Sequence, residues 1–334
     1  MHGLSRLRPP SRAHTRGVAL IMVLGALALI AIVAGRFAQR IDNLRAQTTS
    51  LHDHAQQRLQ ARNALAATLY FAATRSIGPA GFGPALAPEL RADDRLYRLP
   101  DGGEVRVQDP RGLVALNAPE RASLGALLQT LGVSARETDA FVDVLEDYLD
   151  TDALKRLNGA EAPDYATLGL PAPRNDWMLT LGELNRMPLW RDAPQVVAVM
   201  ERWGSTARRP ILNPNTAPID LLAGLWPQAR PEQLELLRRL REATPFVDGR
   251  QAQRLTGLPL ESDGIIFSLG PQLRITVSAQ GSPRALQYNV VLLPAGIEGP
   301  WLISDVQPAP RAQPRDTPDH AEPFPLALPA SRKP

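Results

Sequence analysis

The densest run of residues able to do chemistry is acidic: Asp143, Glu146, Asp147, Asp150 and Asp152, then Gly159-Ala160-Glu161, Asp164, Tyr165 and Asn175. Asp147 and Asp150 are three apart and share a helical face, and Asp152 follows where that helix should end. Their oxygens can converge with Glu161, and with Asp164 behind it, from the loop beyond. An all-oxygen set of this kind suits Ca²⁺, which takes six to eight oxygen ligands. No EF-hand spacing is present, and a solvated acidic face is the plain alternative. Carboxylates near a helix C-terminus oppose its dipole, however, which calls for a compensating cation.

No catalytic residue is expected. The five histidines (His2, His14, His52, His54 and His320) lie near the N-terminus, on a long helical stretch or near the C-terminus, away from the acids. His52 and His54 are two apart and do not share a helical face. Nucleophile elbow, phosphate loop and zinc motif are all missing, and with no cysteine there are neither disulfides nor thiolate metal sites.

A second motif is Leu212-Asn213-Pro214-Asn215-Thr216-Ala217-Pro218, weakly echoed by Leu116-Asn117-Ala118-Pro119. Asn and Thr there are expected to cap a helix starting at Pro218. Asn-Thr-Ala also opens many DNA-binding helix-hairpin-helix modules. Those need a glycine turn whose N–H groups reach a phosphate. Here the turn is Trp226-Pro227-Gln228-Ala229-Arg230-Pro231, with no glycine and two prolines. Nucleic acid is not an expected partner. The charge agrees, because subtracting Arg6, Arg8, Arg12 and Arg16 from 37 basic residues leaves 33 against 34 acidic ones.

Several elements must position these groups. Four arginines and Gly17 precede an uncharged apolar run from Val18 to Gly35, whose 18 residues make about 27 Å of helix, enough to cross a bilayer. Val18, Leu24, Leu27, Ile30 and Val33 would meet lipid, and the arginines favour a cytoplasmic N-terminus. A cleaved signal peptide, a plain anchor, and a pilin-like leader cut after Gly17 to leave Val18 first are the three readings. From Arg36 onward Ile41, Leu44, Leu51, Leu59, Leu65 and Leu69 keep a helical period, so one helix should continue into solvent until Gly78-Pro79 ends it. Its stripe needs a partner surface, most simply a sheet of the same chain.

A β-hairpin is expected around Asp101-Gly102-Gly103, helices from Pro119 to about Arg254, and strands at 272–279, 287–293 and 301–306. The fold class is therefore α+β: a long N-terminal helix packed on a small antiparallel sheet, with a large all-helical domain inserted between strands. The boundaries are a leader at 1–17, a membrane part at 18–35, a solvent-exposed helix at 36–76, the sheet at 77–115 and 265–306, the helical domain at 116–264, and a disordered Pro-rich tail at 307–334.

Taken together, Gly17-Val18, Glu146-Asp147-Tyr148-Leu149-Asp150-Thr151-Asp152 with Gly159-Ala160-Glu161 and Tyr165, and the Leu212 to Pro218 segment resemble pseudopilin K of type II secretion systems. The similarity runs in order from about Gly17 to Val306. It implies a pilin-like helix and sheet, calcium in the helical domain, and assembly with I-type and J-type minor pseudopilins at the tip of a periplasmic pseudopilus that promotes export of folded proteins. It also implies processing by a prepilin peptidase, an inner-membrane, single-pass location with a periplasmic C-terminal domain, and contact with the secretion platform. Most pilins carry Glu at the fifth mature position; Met22 stands here, as is common in the K family. Met22, Ile41, Leu44 and Leu51 are the expected partner-binding positions. The alternatives are a minor pilin of a type IV pilus or a membrane-anchored helix-hairpin-helix protein.

Overall fold

The computed structural model describes residues 13–310 and 321–326. The chain divides into two units, Met1–Arg58 and Leu59–Pro334. Helix α1, Ala13–Thr74, runs through that boundary. The leader expected at 1–17 lies outside the described residues up to position 12, and the helix already includes Gly17 and Val18.

In the first unit Met22, Leu24, Leu27, Ile30 and Val33 are all more than half exposed. From Leu20 the helix is long and apolar enough to cross a membrane, with a mean hydropathy of 2.4 over its best window. Further along, Ile41 is half-buried while Leu44 and Leu51 are exposed, so among the described residues nothing covers the stripe at Leu44 and Leu51.

In the second unit the end of α1 is buried. Ala64, Leu69, Phe71 and Ala72 pack with Val105, Val107, Ile275 and Val277 in one apolar core. A separate two-stranded sheet, β1, Gly81–Phe82, with β2, Leu90–Arg91, comes first; the main sheet then opens with β3, Asp93–Arg98, and β4, Gly103–Gln108. At the β3–β4 turn Gly102 takes φ 87°, which favours glycine. A Cβ on Gly103 would come within 2.6 Å of the Gln60 carbonyl oxygen, so glycine lets the hairpin touch α1.

The chain then leaves the sheet. It forms β5, Val114–Ala115, followed by α2, Arg121–Thr130, α3, Ala135–Leu149, α4, Ala162–Thr167, and α5, Pro194–Trp203. After β6, Gly204–Ser205, come α6, Ile219–Leu225, α7, Pro231–Ala243, and α8, Gly249–Thr256. Ser134 accepts from the Glu137 N–H at 3.3 Å and opens α3 as its spacing predicts. Two cores fill this part. One gathers α2, α3, α5 and Trp190, whose indole N–H donates to the Phe141 carbonyl at 3.0 Å. The other joins α6, α7 and α8 through Leu222, Leu237, Phe246 and Leu260.

The sheet resumes with β7, Gln272–Ala279, β8, Arg284–Leu292, and β9, Trp301–Pro310. A last strand, β10, spans Glu322–Pro323, and the order across the six strands is β10-β3-β4-β7-β8-β9. Since β4 pairs directly and antiparallel with β7, the helical domain sits between neighbouring strands.

Four expectations change. The sheet is mixed, because β10 runs parallel to β3, and the inserted part is not wholly helical, because β5 and β6 pair in parallel. Residues 181–186 form a 3-10 turn rather than an α-helix. The tail does not read uniformly as disorder: β9 reaches Pro310, and Phe324 is buried against Phe71 and Tyr97. Its signal was hidden because a two-residue strand and one ring carry no periodicity.

Candidate metal centre

The acidic stretch is built on the last turns of α3 and on the loop that doubles back along it. Asp143, Glu146, Asp147 and Asp150 follow one face of the helix, where the exposed carbonyl ends repel them. The loop answers that repulsion. Asn158 N–H donates to Asp143 Oδ2 at 3.1 Å, and Arg156 N–H donates to Asp147 Oδ2 at 3.2 Å. The Arg156 guanidinium lies 2.7 Å from Asp147 Oδ1 and 3.0 Å from Glu146 Oε2, and also binds Asp150. Arg121 adds a second cation, 2.8 Å from Glu146 Oε2 and bound to Asp143. Hydrogen bonds to that arginine and to Asn158 hold Asp143 below the ordinary carboxylate range despite its burial.

One of these paired acids, Asp150, also belongs to a group of three carboxylates that lie close together. One oxygen each from Asp150, Asp152 and Glu161 lies within 4.8 Å of the others. Glu161 is only 4% exposed, yet neither of its carboxylate oxygens has a hydrogen-bond partner. Asp150 Oδ1 is buried and unpartnered as well. Burial, then the charges of Asp147, Asp150 and Asp152, push the Glu161 carboxyl above its usual range; the Ala162 amide, outside ordinary hydrogen-bond geometry, lowers it only in part. A buried carboxylate with three like neighbours and no well-formed hydrogen bond is costly to leave ionised without a cation.

The five positions expected from sequence therefore separate. Asp150, Asp152 and Glu161 come together. Asp147 is fully buried and committed to Arg156, while Asp164 receives the Glu161 N–H at 2.9 Å and Lys155 Nζ at 2.7 Å. The cause is local: Glu161 is the N-cap of α4, so Asp164, in the first turn, reaches back to the Glu161 N–H, where a carboxylate is favoured. Asn175 has a part that sequence spacing did not give it. It adopts φ 49°, donates to the Asp152 carbonyl at 2.7 Å, and leaves a buried Oδ1 without a partner. The available donors are all oxygen, which fits a hard divalent cation such as Ca²⁺ and not a soft one.

The second motif serves the fold. Asn213 Nδ2 donates to the Pro79 carbonyl and to Asp109 Oδ2, both at 3.1 Å, and the Thr216 hydroxyl reaches the same Oδ2 at 3.2 Å. Asn215 exchanges two hydrogen bonds with the backbone of Phe246. Asn213, Asn215 and Thr216 are fully buried, so none of them can meet a phosphate. Nor do they cap α6, which has Pro218 at its N-cap and no side-chain cap bond.

Residues 106–203, from β4 to the end of α5 and including the whole acidic cluster, match the family model described as Type II secretion system (T2SS), protein K. The resemblance to protein K holds over this span. The "Putative type II secretion system protein K" of Escherichia coli (strain K12) is 28% identical over 188 residues, 52% of this chain and 57% of that protein. The match thus spans little more than half the length of that curated relative. A solved structure, "The Crystal Structure of the GspK-GspI-GspJ complex from enterotoxigenic Escherichia coli Type 2 Secretion System", aligns with 18% identity and a TM-score of 0.48, over 81% of this chain and 100% of that one.

Proposed function

We propose that this protein is a minor pseudopilin of a type II secretion system, acting as its K-type subunit. The observation that carries this is the protein K match at 106–203, in a domain set between adjacent strands of a sheet that packs on a long N-terminal helix. The apolar start of that helix supports an inner-membrane anchor, with Gly17 as the prepilin peptidase site, Val18 as the mature N-terminus and the remaining chain in the periplasm. Met22 supports a terminal position in the pseudopilus. An unpaired carboxylate in lipid is costly, and a subunit with no chain above it needs no acceptor there. I-type and J-type minor pseudopilins are the partners in this reading, and the exposed Leu44 and Leu51 offer them apolar surface.

Asp150, Asp152 and Glu161 would hold Ca²⁺, with backbone carbonyls and water completing its shell. The ion would supply positive charge at the end of α3. The chain's own residues do the rest, with Arg156 and Arg121 neutralising the neighbouring acids and Asn175 fixing the Asp152 carbonyl.

Mass spectrometry of the mature N-terminus tests the assignment. Val18 as first residue, dependent on prepilin peptidase, is the expected result; an intact Met1, or a start near Gly35 or Arg36, overturns it. Co-elution with purified periplasmic domains of the I and J subunits tests the partners.

A further inference from the structure

Between α3 and α4 the chain sorts its side chains against the usual rule. From Thr151 to Asn158 every residue is exposed except Arg156. Leu154 and Leu157 stand 78% and 92% exposed. An apolar side chain gains by leaving water, whereas a guanidinium gains from burial only where it is paired. The loop thus forgoes the burial of both leucines and brings one positive charge against α3.

The acids that Arg156 meets do not depend on it equally. Its guanidinium reaches Glu146 Oε2 at 3.0 Å and Asp147 Oδ1 at 2.7 Å, and it also binds Asp150 Oδ2. Glu146 has Arg121 as a second cation at 2.8 Å, and Asp147 also accepts the Arg156 backbone N–H. For Asp150, no other basic group among the described residues lies within ion-pair distance.

Asp150 is also the member of the three-carboxylate group that carries this arginine. Asp152 accepts the Leu154 N–H at 2.8 Å, and Glu161 has no well-formed bond. The acid that a divalent cation would share with Glu161 is therefore already partly neutralised by the chain itself. Two cations on one carboxylate repel each other, and among buried groups that repulsion is little screened. The arginines still leave charge to neutralise. Asp143, Glu146, Asp147, Asp150, Asp152 and Glu161 have only Arg121 and Arg156 among them.

We propose that Arg156 is a built-in counter-ion of the cation site, competing with a divalent ion for Asp150. It keeps the loop on the end of α3 when calcium is scarce, and it holds calcium affinity below what Asp150, Asp152 and Glu161 would give without it. The chain can then complete this part of its fold before it meets the ion. The inference rests on reading these three acids as a calcium site and is independent of the pseudopilin assignment.

Calorimetric titration of calcium chloride into the full chain in detergent, first stripped with chelator, tests it. Arg156→Gln should bind calcium at least tenfold tighter than the unaltered chain, although it melts lower in chelator. Arg156→Lys, which keeps the charge, should bind within about threefold of the unaltered chain. A Gln variant that binds no tighter, or a Lys variant that binds as tightly as the Gln variant, overturns the role of Arg156 and leaves the site standing. If neither the unaltered chain nor Arg156→Gln binds calcium, the site itself is lost and the inference with it. Should Arg156→Gln not fold because Asp147 is left buried without a cation, Asp147→Asn is compared with Asp147→Asn/Arg156→Gln, where that charge is gone. The tenfold gain is expected there too, and its absence overturns the proposal.

Discussion

A Cβ placed on Gly159 would sit 1.8 Å from Oδ2 of Asp147. The loop can close over the buried carboxylate only because position 159 has no side chain, and that closure brings Arg156 onto Asp147. Gly159→Ala should therefore push Asp147 off Arg156. We expect a loss of about 3 kcal/mol, the low end for breaking a buried ion pair, because Arg156 is 36% exposed. Urea unfolding of the two proteins measures it.

Calcium should raise the melting temperature, by about 2.7 kcal/mol of added stability at a hundredfold excess over its Kd. Glu161→Gln gives the sharper test because it separates two effects. In chelator it should stabilise the protein, since it removes a buried carboxylate from beside Asp147, Asp150 and Asp152. It should also abolish the calcium shift. A variant that keeps the shift removes Glu161 from the site.

Asp109 predicts a pH dependence. Burial, which outweighs its bonds from the Arg111 N–H, Asn213 and Thr216, holds its carboxyl above the ordinary aspartate value in the folded state. The folded chain therefore binds more protons than the unfolded chain between those two values, and stability falls as pH rises through that window. Asp109→Asn should flatten this part of the stability-against-pH curve, whatever its cost at any single pH. An unchanged slope would assign the dependence to another group.

Asn213→Ala should cost about 3 kcal/mol, because it strips a donor from buried Asp109 and from the Pro79 carbonyl at once. Asn215→Ala breaks the exchange with Phe246 and should weaken the α6–α8 core first. Hydrogen exchange distinguishes the two losses by location.

Local signals carried much of the fold. Ser134 with Glu137 marked the start of α3, and the alternation from Gln272 to Ala279 marked β7, because caps and pleats are written in neighbouring residues. The grouping of Asp150, Asp152 and Glu161 was legible as an acidic cluster, but its division from Asp147 and Asp164 was not. That division depends on which carboxylate Arg156 and the first turn of α4 claim, a matter of loop closure rather than spacing. The role of Asn213 was hidden for a similar reason. Its partners, Asp109 and Pro79, are distant in the chain, so a buried knot between domains looked like a helix cap.

The placement of the helical domain between β4 and β7 governs the order of folding. Gln108 cannot meet Arg274 until everything between them has been synthesised, and joining strands across so long a floppy segment is entropically slow. Once the inserted part is folded, its two ends already lie together, since Asn213 bonds to Asp109 at the exit and to the Ser268 carbonyl near the return. The domain then behaves kinetically as a tight turn, and the sheet should form late and quickly.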